Sequence, residues 1–255
     1  KTIPYQHQLK SFEISKDLAE YALFFEQGCG KTKVTIDTAS YLFLRKEIEV
    51  LIIIAPNGVH RNWITDEFPT HSSCSYIAAI WNTNFTKSVR EKWQAVKEGR
   101  QESLKVFAFN IETFVSEKSQ NELNNILKNY KTMIVIDESQ KIKNPAAKRT
   151  KFLISISQLA NYRRILTGTP IANGAQNFYS QFKFLNPKII GISSFFAFRT
   201  KYCIMGGWES RQIVGYKNIQ DLQNKIQAHS IRILKKDCLD LPPKIYQEAM
   251  FDMTK

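Results

Sequence analysis

The chain has 255 residues, 43% of them apolar and 12% aromatic, which is enough for a sizeable core and sets aside an intrinsically disordered protein. It has no window of ~18 uninterrupted apolar residues and no opening signal-peptide pattern, so a membrane-embedded partner or an exported product is not expected. With 36 basic against 23 acidic side chains the formal net charge is +13, which fits a polyanionic partner, although a basic balance also arises from solvated surface alone.

Cys29, Cys74, Cys203 and Cys238 are far apart and form no CxxC pair, so neither a zinc site nor a disulfide framework is expected. A reducing compartment follows, cytoplasmic or nuclear. The histidines His7, His60, His71 and His229 are too scattered for a convincing metal set. The chain opens at Lys1 without Met and stops in MFDMTK, and the expectation is a piece of something longer.

In chain order, residues 5–19 read as an opening helix and Tyr21 to Phe25 as a buried strand. The turn Gly28-Cys29-Gly30 leads into a helix from Lys31. Val50 to Ala55 (VLIIIA) is a continuous apolar run of the kind buried on both faces in parallel sheets. Asn57-Gly58 is a turn, and Val59 to Phe68 a helix. Ser75 to Trp81 and Val106 to Asn110 are strands around a charged helix near 86–98, and Glu117 to Lys128 is helical. Met133 to Ile136 is a strand ending in an acidic pair, and Arg164 to Leu166 a short strand before TGTP and a helix from about Ala175 to Leu185. This rhythm predicts an α/β fold, a parallel β-sheet with helices on both faces that binds ligands at the carboxyl ends of its strands.

Chemistry-bearing residues fall at those ends. EQGCGKT is a phosphate cradle: the glycines let the backbone approach a polyphosphate, the helix N-terminus faces its charge, Lys31 reaches the β/γ oxygens, and the Thr32 hydroxyl can ligate Mg²⁺. The usual GxxxxGK[ST] pattern wants a glycine where this chain has Phe25. After the strand 133–136, Asp137 can hold Mg²⁺ and Glu138 can orient or deprotonate a water. Two acids there could also simply cap a strand, and the phosphate loop upstream weighs for chemistry. Thr167, Gly168 and Thr169 offer hydroxyls for relaying nucleotide state to conformation, or form a threonine-rich turn.

Taken together, EQGCGKT, IIIAPNGVHRNW, IVIDESQKIKNP, RRILTGTPIAN and FYSQFKFLNP resemble the first RecA-like lobe of a superfamily II motor. IKNP, FLNP and LPPK resemble the SWI/SNF-like branch of DNA-dependent ATPases. The resemblance covers almost the whole chain and implies a RecA-like P-loop NTPase lobe over 1–240 with an insertion near 190–217, and a linker to a second RecA-like lobe starting at 241–255. It also implies ATP with Mg²⁺ and coupling of hydrolysis to movement on double-stranded DNA.

Position by position, the resemblance gives Tyr5-Gln6 the adenine-reading role and Gly28, Cys29, Gly30, Lys31 and Thr32 the ATP site. Thr32 and Asp137 take the metal, Glu138 the catalytic acid's place, and Thr167, Gly168 and Thr169 the coupling motif. Pro56 and Asn57, and more loosely Asn110 and Thr113, match segments contacting the DNA backbone. Gln140 stands where the family has His; it can hydrogen-bond across the gap between lobes but cannot carry a proton. An arginine-containing box of the RxGRxxRxGQ type, supplied in such motors by the second lobe, does not occur in the 255 residues.

Lys141, Lys143, Lys148, Arg149 and Lys151 suit phosphate contact and a solvated helix face equally. Residues 195–217 interleave aromatics with cations; packing of an insertion is favoured over base stacking. Two other classes stay in view. A kinase or GTPase-like switch lacks an acceptor site or NKxD motif here, and a degenerate lobe that merely binds DNA or protein sits poorly with intact GKT and DE.

Overall fold

Val50–Ala55 forms strand β2 near the middle of a seven-stranded sheet, and every residue of the run is buried. The computed structural model describes residues 2–82, 86–99, 102–168, 174–207 and 212–238. The other strands are β1 (Glu20–Phe25), β3 (Tyr76–Ile80), β4 (Leu104–Asn110), β5 (Thr132–Ile136), β6 (Tyr162–Leu166), β7 (Cys203–Gly206), β8 (Gln212–Tyr216) and β9 (Ser230–Ile233). The sheet runs β3-β4-β2-β5-β6-β1-β9 with each neighbouring pair parallel, while β7 and β8 form a separate antiparallel pair.

Side chains alternate across a strand, so one run feeds two cores. Val50, Ile52 and Ile54 join Trp93, Leu123, Ile126 and Phe182, whereas Leu51, Ile53 and Ala55 join Val34, Ile36, Leu42 and Trp63. Helices therefore cover both faces, as the strand-helix rhythm predicts. Among the described residues, no helix is long and apolar enough to cross a membrane.

The largest differences from the expectation lie in two helices and at the β9 edge of the sheet. The opening helix spans Gln6–Ser15 and stops short of 19. Beyond it, the Arg164 guanidinium collects the carbonyls of Ser15 (2.8 Å), Leu18 (2.7 Å) and Ala19 (3.2 Å), which holds this stretch in a turn. The helix expected over 59–68 becomes Val59–Asn62, a π-helical stretch Trp63–Glu67 and a last turn Phe68–His71. The edge strand β9 and the preceding helix Ile219–Gln227 were not expected at all. Within residues 190–217, where an insertion is expected, lie the helix Phe195–Tyr202 and the β7/β8 pair, and Phe198 and Tyr202 are buried in the core. Arg211 and the LPPK segment expected to begin a linker lie outside the described residues.

Arg164 is 1% exposed, and burial pushes its guanidinium down to about 10, still charged at neutral pH. Neighbouring Arg163 pairs with Glu20 at 3.2 Å, so both arginines are committed to the scaffold. Arg164→Met should cost about 3 kcal/mol in urea unfolding, because several carbonyls lose a charged donor at once. Stability within 0.5 kcal/mol of wild type, roughly the range of neutral surface changes, would contradict this role.

Candidate functional site

Strands β5, β6 and β1 are consecutive in the sheet, so the residues following their carboxyl ends converge at one edge. Phe25 is fully buried at the end of β1, which places the start of the loop after it, at Glu26. Gly28 and Gly30 have φ of 89° and 79°, in the left-handed region that favours glycine. A Cβ on Gly30 would also come within 2.1 Å of Gln8 Nε2. Gln8 is buried; its Oε1 accepts from the Tyr5 amide (3.0 Å) and its Nε2 donates to the Cys29 carbonyl (3.4 Å). His7 Nε2 donates to that carbonyl at 2.9 Å.

Gln8 is thus the glutamine packed against the loop backbone, a different place from that of Gln6, which is expected to read adenine. Gln6 is exposed and lines a neighbouring 670 Å³ cleft with Lys10 and Lys236. Two residues on a helix point about 200° apart, so only one of them can face the loop. The loop itself borders a 640 Å³ cleft lined by Tyr5, Gln8, Gly28, Gly30, Lys31 and Thr32.

A chain of contacts runs from the loop to the strand β6. Lys31 Nζ lies 3.8 Å from Glu138 Oε1, Gln140 Nε2 donates to Glu138 Oε2 at 2.7 Å, and Thr167 Oγ1 donates to Gln140 Oε1 at 2.8 Å. Gln140 therefore bridges the acidic pair and the Thr167 segment within this chain. Its amide does so with one donor and one acceptor and no titration. Glu138 has φ of 49°, an uncommon left-handed conformation for a non-glycine residue that costs on the order of 1–3 kcal/mol.

Asp137 is 3% exposed, and burial pushes its carboxyl above the ordinary range, against the pull of the Trp63 indole and of Lys31. Its Oδ2 accepts from Trp63 Nε1 and its Oδ1 from the Glu138 amide, both at 2.9 Å. The Thr32 hydroxyl and the Asp137 carboxylate are hard oxygen donors of the kind Mg²⁺ takes, and the positive-φ glycines leave the backbone open to phosphate. Behind them, a Cβ on Gly168 would lie 3.3 Å from the Phe25 carbonyl and 3.4 Å from the Gln27 amide, so the segment after β6 packs on the loop's own backbone. Thr169 lies outside the described residues.

Sequence reasoning missed the far wall of the loop. The Lys235 amide donates to Glu26 Oε2 (2.6 Å), and Cys238 Sγ lies 3.6 Å from Cys29 Sγ. Burial pushes the Cys29 thiol up to about 11. Nothing in the spacing of two cysteines 209 positions apart signals this meeting. Trp63 closes the segment IIIAPNGVHRNW but was given no role of its own.

Pro56 follows β2 and Asn110 ends β4; in the register Ala55 sits opposite Asn110, so Pro56, Asn57 and Asn110 share the same edge of the sheet. Thr113 does not join them at the surface: it is buried, and its hydroxyl donates to the Asn110 carbonyl at 2.7 Å. Its expected DNA contact gives way to a structural role in the short 3₁₀ turn Ile111–Val115. Arg149 is ion-paired to Glu112 of that turn, whereas Lys141, Lys143, Lys148 and Lys151 are exposed nearby along the chain.

Comparison with known proteins gives a match to the SNF2-related domain over residues 11–255. The DNA annealing helicase and endonuclease ZRANB3 of Bos taurus is 28% identical over 99% of this chain and 22% of its own length. The chromatin-remodeling ATPase INO80 of Kluyveromyces lactis is 26% identical over 90% of the chain and 15% of its length. Among solved structures, the Sulfolobus solfataricus SWI2/SNF2 ATPase core domain superposes with a TM-score of 0.69 at 25% identity, covering 95% of this chain and 46% of that one. The same core in complex with dsDNA superposes with a TM-score of 0.68 at 24% identity, over 92% of this chain and 45% of that one. The chain thus spans less than half the length of each.

Proposed function

Because this chain belongs to the SNF2-related domain family, we propose that it is the ATP-binding half of a DNA-dependent ATPase that couples Mg²⁺-ATP hydrolysis to movement on double-stranded DNA. The observation that carries this reading is the contact chain Lys31–Glu138–Gln140–Thr167, which links a phosphate-binding lysine to a carboxylate and on to the segment after β6. Backbone amides of Gly28 and Gly30 and the Lys31 ammonium bind the phosphates, while the Cys29 amide closes the loop on the Glu26 carbonyl (3.1 Å) and Gln8 and His7 fix it from outside. Thr32 and Asp137 would hold Mg²⁺, which neutralises phosphate charge when bound.

Glu138 faces both Lys31 and Gln140. Phosphate binding draws Lys31 away, and Glu138 is then available to accept the proton of the water that attacks the γ-phosphorus as its bond to the β-bridging oxygen breaks. Gln140 follows Glu138 and carries that change to Thr167, next to Gly168 and Thr169. Partners are double-stranded DNA and a second RecA-like lobe of a longer chain, in the cytoplasm or nucleus.

The test is the full-length protein's ATPase, which double-stranded DNA should stimulate more than single-stranded RNA. If the four exposed lysines between 141 and 151 each neutralise one phosphate, log affinity should fall with log salt at a slope of about −3.6. Replacing two of them by Ala should lower that slope by about 2. Equal stimulation by RNA, or affinity indifferent to salt, would count against the reading.

A further inference from the structure

Trp63 is 1% exposed and sits among apolar neighbours from the helix Lys31–Leu44 and strand β2, where packing alone asks for no polar atom. Indole nitrogen can only donate. It donates to Asp137 Oδ2, 74 positions away, at 2.9 Å and fully inside the protein. The Glu138 amide takes the other oxygen, so the carboxylate plane is fixed at both ends, from β5's own continuation and from a different segment. That segment begins with Pro56 and Asn57, and Trp63 stands where its helix changes to a π-helical stretch. Such local widening often marks functional positions.

We propose that Trp63 is a positioning residue for Asp137: its N–H orients the carboxylate toward the metal bound with nucleotide, and ties that carboxylate to the segment that opens with Pro56 and Asn57. This rests on the Mg²⁺-ATP reading. A ligand held by an outer hydrogen bond binds metal better because it does not have to be ordered when the metal arrives, and losing such a partner typically costs about 10- to 100-fold in metal affinity.

The experiment uses full-length protein with Trp63→Phe, and separately with 3-benzothienylalanine incorporated at position 63, which keeps the indole shape and replaces N–H by sulfur. Binding of a fluorescent ATP analogue is titrated with Mg²⁺, and Mn²⁺ binding is read directly by electron paramagnetic resonance. Both variants should need about tenfold more Mg²⁺ for half-maximal nucleotide binding. Metal-free nucleotide binding should stay within twofold of wild type. If Trp63→Phe does not fold, the isostere carries the test alone. A wild-type metal requirement in the isostere overturns the proposal, since shape alone then suffices. Loss of metal-free nucleotide binding in the isostere also overturns it, as damage to the loop would explain the effect. Wild-type protein whose nucleotide binding ignores Mg²⁺ would overturn the underlying reading together with this proposal.

Discussion

Glu138→Gln in the full-length protein should bind ATP within a few-fold of wild type and hydrolyse it about 10³-fold more slowly, the scale of a lost general base. The amide can keep the contact with Gln140 that the carboxylate makes at 2.7 Å, so the loss is one of proton acceptance and not of architecture. Lys31→Ala should act on the other step and weaken nucleotide binding by about 10- to 100-fold, since it removes a charged donor to phosphate. Its ion pair with Glu138 is long and partly exposed, at 3.8 Å, and contributes little stability, so unfolding is not an alternative explanation. Equilibrium binding and single-turnover hydrolysis measured side by side separate the two variants. Near-normal turnover in Glu138→Gln would remove the role given to that residue.

The second large effect concerns completeness of the site. On the proposed function an arginine from a second lobe would stabilise charge on the transferred phosphoryl, worth about 10³ to 10⁵ in rate. Arg163 and Arg164 cannot serve in its place, because one is held by Glu20 and the Leu185 and Ala160 carbonyls and the other is sealed among the carbonyls of residues 15–19. Residues 1–255 alone should therefore bind ATP weakly and turn it over at least about 10³-fold more slowly than a chain that also carries a second RecA-like lobe, with little response to DNA. Equal DNA-stimulated rates at equal protein concentration would mean that the site is complete in this chain.

Much of this was legible in advance because the parallel sheet writes itself as apolar runs: VLIIIA and MIVI have no polar face to confuse. Motif residues at strand ends were readable for the same reason, since the strand fixes the end. What stayed hidden depended on contacts between distant segments. SIRI has too little length and too mixed a pattern to announce a strand, and it becomes one because β1 offers an open edge: Ala22 meets Ser230 and Phe25 meets Ile233. Gln6 and Gln8 are chemically alike, and only the helix phase separates the one that touches Cys29 from the one that does not. Thr113 looked available because its motif places it near Asn110, yet the turn folds its hydroxyl back onto the Asn110 carbonyl. Gln140 carried a departure from the family whose consequence needed the position of Thr167.

The placement of β1 between β6 and β9 also fixes when this protein can acquire its loop. β1 leaves the ribosome before the strands that flank it, yet Glu20 waits for Arg163, 143 positions later, and Glu26 for the amide of Lys235, 209 positions later. Until then EYALFF is an apolar segment with both backbone edges unpaired, the kind of nascent surface that invites chaperones or aggregation. The proposed nucleotide cradle comes into being only as the sheet closes, so nucleotide would act on the late stages of folding. A chain cut before Ser230 is accordingly not a smaller version of the same unit but one in which β1 has lost a neighbour.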